Sequence, residues 1–310
     1  MLLFWSAVFI ASLFFLVKSA DFLIESAKVI GRYFKMPSFI IGVLVVGIGT
    51  SLPELSSSIF AVLQNVPELV VANAIGSNIA NILLIVGISS IIAKNIKVSS
   101  NLINLDIPLL LLSTALFALL AFDGVISRAD SAFLLAGLLY YLTYSLASKG
   151  VEDVERKETN KNKPYKSFAI FAISLVFLIF SSKYLVKSVT EIASILNISS
   201  SVIALLAVAV GTSLPELFVS ISAIKKNEAD MALGNIFGSN AFNLLAVAGI
   251  PAVFASLPLD GASVSVALPV LVVSTILFAF SGISRKIHSF EGVFFLIIYV
   301  FFALKVLSVI

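Results

Sequence analysis

The heptapeptide Gly-Thr-Ser-Leu-Pro-Glu-Leu occurs twice, at residues 49–55 and 211–217, each time inside an apolar run. The offset between the copies is 162 residues. The same offset carries Ser58 and Ile59 onto Ser220 and Ile221. It also carries Asn73, Gly76, Ser77, Asn78 and Asn81 onto Asn235, Gly238, Ser239, Asn240 and Asn243. Two motifs on consecutive apolar runs share one offset, so the chain reads as two copies of one unit.

Each unit is cut into five apolar stretches. They fall at about 2–30, 38–63, 69–92, 103–122 and 128–148, then at about 167–196, 201–224, 230–256, 263–283 and 288–308. Stretches of roughly twenty residues cross a bilayer as helices. Composition agrees: 60% of the 310 residues are hydrophobic and 12% are charged, about half the charge of a soluble domain. Five crossings is an odd number, so the second unit must enter the membrane from the opposite side. The expected fold is therefore all-α and polytopic, with ten transmembrane helices in two five-helix inverted-topology repeats. That architecture places a substrate site near the bilayer midplane, between the repeats.

The repeats are expected over residues 1–148 and 167–310, joined by the charged segment 149–166, which has no apolar period and reads as a linker. The N-terminal Met1-Leu2-Leu3-Phe4-Trp5 has no basic region before it and reads as the first span rather than a cleaved signal. Lys and Arg set the orientation. With the N-terminus outside, the inner face receives Lys28, Arg32, Lys35, Lys94, Lys97, six residues of the linker, Lys225, Lys226, Arg285 and Lys286. The outer face receives only Arg128, Lys183, Lys187 and Lys305. Both termini are thus expected outside a cell membrane, with the linker cytoplasmic.

Most acidic residues lie in loops or near helix ends. Glu54 and Glu216 differ, each standing mid-span as the repeat mate of the other. An ionised carboxylate at that depth costs several kcal/mol unless it meets a partner. No Lys, Arg or His lies at matching depth in another span, Lys18 excepted, so the pair is either protonated or built for cations. The neighbours favour cations. Pro53 and Pro215 cannot donate to the carbonyls of Gly49 and Gly211, which loosens the helix and frees backbone oxygens. Thr50 and Thr212 stand one turn before each Glu and share its face. Ser51 and Ser213 add hydroxyls. On the following span, Ser77 and Asn81, like Ser239 and Asn243, share a face at i, i+4. The donor set is all oxygen, which suits the hard cations Ca2+ and Na+. The chain has no Cys and one His, His288, which removes thiolate and His-cluster metal sites. A net charge of +3 without a basic patch gives no footprint for nucleic acid.

Charge also suggests coupling. Two carboxylates in a low-dielectric site repel each other. One Ca2+, or at least two Na+, removes that repulsion, so a filled site changes sides more easily than an empty one. The expected behaviour is obligatory exchange.

GTSLPEL followed on the next helix by GSNIAN (76–81) or GSNAFN (238–243) resembles the paired alpha-repeats of the sodium/calcium exchanger family, within the cation/calcium antiporter superfamily. The likeness spans both halves. It implies that Glu54, Glu216, Thr50 and Thr212 coordinate Ca2+. It implies that Ser51, Ser77, Ser213 and Ser239, with the carbonyls of Gly47 and Ala209, complete flanking Na+ sites, and that Asn81 and Asn243 border the central position. It implies several Na+ exchanged for one Ca2+ by alternating access, with the first and sixth helices sliding against the other eight. Some relatives carry Asp at the position of Asn243; with Asn at both mates, K+ cotransport is not expected. The short linker leaves no room for calcium-sensing domains, which points to a prokaryotic-type member. No cofactor and no obligatory protein partner is implied; the partners are Ca2+, Na+ and the lipid bilayer.

A proton-coupled antiporter for Ca2+ or another divalent cation is the alternative, since carboxylates also carry H+. The hydroxyls beside the acids argue for Na+, because a proton needs no coordination shell. An intramembrane enzyme is not expected: no nucleophile–base pair, metal motif or nucleotide loop accompanies the acids.

Overall fold

The computed structural model describes residues 1–98, 106–147, 165–196, 213–261 and 263–306. The described chain is mostly helical, as expected where backbone polar groups must be satisfied within each segment. In chain order the helices are α1 (Leu2–Tyr33), α2 (Ser38–Leu63), α3 (Glu68–Ala93), α4 (Ile107–Leu120), α5 (Arg128–Ala147), α6 (Tyr165–Ile195), α7 (Leu214–Lys225), α8 (Ala229–Phe254), α9 (Ser263–Ile283) and α10 (Ser289–Val306). Seven are long and apolar enough to cross a membrane by length and composition: α1, α2, α3, α6, α8, α9 and α10. Of the rest, α4 is a shorter apolar helix, α5 carries more polar residues, and α7 is only the second half of the expected span 201–224. Most of the linker, and residues 197–212, lie outside the described residues.

Among the described residues, four short strands tie the halves together. Strand β1 (Asn95–Lys97) follows α3, β2 (Val125–Ile126) lies between α4 and α5, β3 (Leu257–Pro258) follows α8, and β4 (Lys286–His288) lies between α9 and α10. The antiparallel pairs are β1 with β4 and β2 with β3. The register obeys the 162-residue offset. Asn95 faces His288, and the shift that moves Asn95 to position 257 and His288 to 126 gives the observed pair Leu257–Ile126. Helix α9 begins beside β3 and ends beside β4, so the two ribbons stand at opposite ends of a 21-residue helix, about 30 Å apart. Equivalent helices α3 and α8 therefore end at opposite ends of the bundle.

Helices α2, α3, α7 and α8 form the interior, and α8 is almost wholly enclosed. Glycine permits the closest crossing. A Cβ on Gly238 would collide with the Val43 backbone, one on Gly234 with the Phe39 carbonyl, and one on Gly42 with the Met231 carbonyl. Small residues of this kind let membrane helices approach backbone to backbone.

Helices α1 and α6 pack along each other, and both present large apolar side chains outward. Charges at one end of α1 meet the α7–α8 turn. Lys226 Nζ lies 2.6 Å from Glu25 Oε1, and Lys28 Nζ 2.6 Å from Glu228 Oε1. Ser222 Oγ donates to Asp21 Oδ1 at 2.6 Å. Subtracting 162 from 226 and 228 gives Gln64 and Val66, so the α7–α8 side of this clasp has no charged repeat mate. Glu25 is largely exposed, and such pairs contribute little. Lys226→Gln is accordingly expected to lower stability by under about 1 kcal/mol, read as a shift of no more than a few degrees in the melting of the detergent-solubilised protein.

Candidate cation site

Both Glu-bearing helices have a first turn at the motif. Helix α2 is interrupted at Ser51 (φ −88°, ψ 4°) and restarts at Leu52. Helix α7 starts after Ser213 in the same conformation (φ −90°, ψ 7°). Pro53 and Pro215 thus stand in a first turn, where a missing N–H costs nothing. Glu54 and Glu216 share that first turn. The positive end of each helix dipole, of the segment from Leu52 and of α7, therefore lies at the carboxylate-bearing turn.

The carboxylates are sealed inside the protein, Glu54 at 0% and Glu216 at 1% exposure. Ser51 Oγ, one turn before Glu54, donates to Glu216 Oε1 at 3.2 Å and joins the halves. The Gly47 carbonyl accepts from Ser239 Oγ at 3.1 Å and lies 3.3 Å from Thr50 Oγ1. The Thr50 and Ser239 hydroxyls lie 3.4 Å apart. Gly47, Thr50, Ser51 and Glu54 of α2 thus meet Glu216 of α7 and Ser239 of α8. Ser77, Asn81, Ser213 and Asn243 are also buried. Ala209 and Thr212 lie outside the described residues.

The two asparagines mark widened turns. Helix α3 opens into π-helical turns over Ala80–Ile85, and α8 over Asn243–Val247. Such turns often accompany functional sites in helices. The packing crosses between the halves: the Glu54 segment of α2 rests on the turn that begins at Asn243, and α7 rests on the turn that holds Asn81.

Polar satisfaction fails at this place. Neither carboxylate oxygen of Glu54, nor Oε2 of Glu216, nor any side-chain amide atom of Asn81 or Asn243 has a hydrogen-bond partner among the described residues. Each buried group left unmade costs about 1–3 kcal/mol, more when charged. The orphaned atoms belong to two repeat pairs, and five of the seven are oxygens. Such a set fits a cation bound among oxygens and has no packing rationale. The described residues hold no group of three or more His, Cys, Asp or Glu, so any cation here must rely on neutral oxygens as well. Asn240 is also unpartnered, whereas Asn78 spends its amide N–H on the Ala74 carbonyl at 2.7 Å.

Asn73 and Asn235 were not among the expected site residues. Asn235 Nδ2 donates to the main-chain carbonyl of Glu216 at 3.3 Å and to Ser220 Oγ at 2.9 Å. Its mate Asn73 donates to the Glu54 carbonyl at 3.3 Å and to Ser58 Oγ at 3.2 Å. Their membership of the repeat was the available signal.

Comparison with known proteins gives one picture. The family model described as sodium/calcium exchanger protein matches residues 4–147 and 166–307. The chain is 34% identical to the sodium/calcium exchanger MaX1 of Methanosarcina acetivorans, covering 95% of this chain and 96% of that one. It is 34% identical to the inner membrane protein YrbG of Escherichia coli, covering 88% and 87%. Among solved structures it resembles the sodium-calcium exchanger NCX_Mj soaked with Na+ and Sr2+, with a TM-score of 0.84, 33% identity and coverage of 97% and 98%.

Proposed function

Because the chain belongs to the sodium/calcium exchanger family, we propose that this multi-pass membrane antiporter exchanges several Na+ for one Ca2+ by alternating access at a midplane site between two inverted five-helix repeats. The observation that carries the reading is the set of buried, unpartnered oxygens on Glu54, Glu216, Asn81 and Asn243. Two of these residues bring negative charge, and each charge stands in the first turn of a helical segment.

In this reading Ca2+ takes Glu54 and Glu216 with the hydroxyls of Thr50 and Thr212. Na+ takes flanking positions built from Ser51, Ser77, Ser213 and Ser239 with the carbonyls of Gly47 and Ala209. Asn81 and Asn243 border the centre. The close approach of Gly47 O, Thr50 and Ser239 supports one such oxygen cluster. Like charges about 4 Å apart at an effective dielectric of 20 repel by about 4 kcal/mol. One divalent or two monovalent cations cancel that repulsion, and competition for the same carboxylates makes the two loads mutually exclusive.

The ribbons at opposite ends of α9 support inversion of residues 167–310 relative to 1–148, joined through 149–166. The lipid-facing pair α1 and α6 suits a unit that slides against the interior helices. The Lys and Arg distribution supports termini outside the cell membrane and a cytoplasmic linker.

Purified protein in Na+-loaded liposomes, diluted into Na+-free medium, is expected to take up Ca2+ at least about tenfold faster than without the gradient, as compulsory coupling requires. Uptake driven by an outward proton gradient without Na+ would instead establish proton coupling. Net Ca2+ flux with no counter-cation would overturn exchange.

A further inference from the structure

We propose that Asn235 is a positioning residue that holds the Glu216-bearing turn and aims the Thr50 hydroxyl of the other repeat, and that its repeat mate Asn73 holds the Glu54-bearing turn. The proposal rests on the cation-exchange reading and deepens it.

The argument starts from what each atom can do. A main-chain carbonyl only accepts, so the Asn235 group facing the Glu216 carbonyl at 3.3 Å must be its NH2. The second proton of that NH2 goes to Ser220 Oγ at 2.9 Å, one turn further along α7. Both donors of the amide are thereby spent on the turn that carries Glu216. With the amide oriented this way, Oδ1 points to Thr50 on α2 and receives its hydroxyl at 3.2 Å. Thr50 has one proton and two lone pairs. Given the proton to Asn235, Thr50 keeps lone pairs to offer a cation alongside the Gly47 carbonyl, 3.3 Å away.

Asn235 is fully buried, so water cannot replace these bonds. The mirror half repeats the backbone contact at the half-buried Asn73, whose NH2 faces the Glu54 carbonyl and the hydroxyls of Ser57 and Ser58. A core asparagine serving packing alone would not address the backbone of the same repeat-paired carboxylate in both halves. Aspartate keeps the shape and the acceptor but has no N–H for the Glu216 carbonyl. Asn→Asp at either position should therefore damage the site although it adds an acid.

The test uses the full chain and two readouts. One is the Ca2+ dependence of Na+-driven uptake in liposomes. The other is Ca2+-induced thermal stabilisation in detergent, which needs no transport. Asn235→Ala, Asn235→Asp and Asn73→Ala are expected to raise the half-saturating Ca2+ about tenfold in both readouts, with the maximal rate within about threefold of wild type. Ser220→Ala is expected to raise it about threefold, and to add little to Asn235→Ala because the two share one bond. If Asn235→Ala does not fold, Ser220→Ala and Asn73→Ala decide. Variants that yield less folded protein with unchanged half-saturation would overturn the positioning role. A wild-type protein that neither takes up Ca2+ nor is stabilised by it would remove the exchange reading itself, and this proposal with it.

Discussion

Glu54→Gln and Glu216→Gln proteins are each expected to lose Na+-driven Ca2+ uptake by at least about a hundredfold, which corresponds to about 2.7 kcal/mol or more of lost cation stabilisation. Glutamine keeps the shape of the side chain but removes the charge and one acceptor. Both carboxylates are sealed from water, so nothing in solution can substitute for the missing charge. The loss should come with a second signature. Two like charges buried together oppose folding, so either variant should melt higher than wild type when no cation is present. Wild type should rise with added Ca2+ by mass action, whereas the variants should not. Melting curves with and without Ca2+, run beside the liposome assay, check both parts. A variant that melts lower than wild type without Ca2+ would mean that the carboxylates hold the fold together. A variant that still transports at more than a tenth of the wild-type rate would remove its Glu from the site.

The second large effect is steric. Gly238→Ala is expected to cost about 3 kcal/mol, at the upper end for overpacking, because the added methyl meets the Val43 backbone, which cannot rotate away as a side chain can. For a chain of 310 residues that is a fall of about 5 °C in melting temperature. Gly49→Ala is the control. Its Cβ would meet Leu175 and Phe171 side-chain atoms at 3.7 Å, ordinary contact, and its stability should change by under about 1 kcal/mol. Equal melting of the two variants would mean that α2 and α8 are not locked at this crossing.

These residues were not equally legible in the sequence. Glu54 and Glu216 stood out because a carboxylate inside an apolar run is costly, and the duplicated motif removed coincidence. The break in α2 followed from Pro53, although it falls at Ser51 and relocates the proline into a first turn. The widened turns were not readable. Apart from Asn81, Ala80–Ile85 is an apolar run like any other, and nothing in it announces a widened turn. The role of Asn235 was hidden for a related reason. Its offset was visible, but its partners are a backbone carbonyl on α7 and a hydroxyl on α2, and a one-dimensional pattern does not pair them. The strands escaped because two or three residues at helix ends carry no alternation to detect.

The ribbons have a consequence for how the protein is made. Asn95 waits for His288, and Val125 for Pro258. A ribosome adding roughly 5–20 residues per second takes about ten to forty seconds to cover the interval between Asn95 and His288. Throughout that time the first half must sit in the bilayer with an open strand edge and with Glu54 and Asn81 facing no counterpart. The nascent half is therefore the stage most exposed to misassembly and quality control. Destabilising changes in residues 1–147 should show first as lost protein yield, before any loss of turnover per folded molecule.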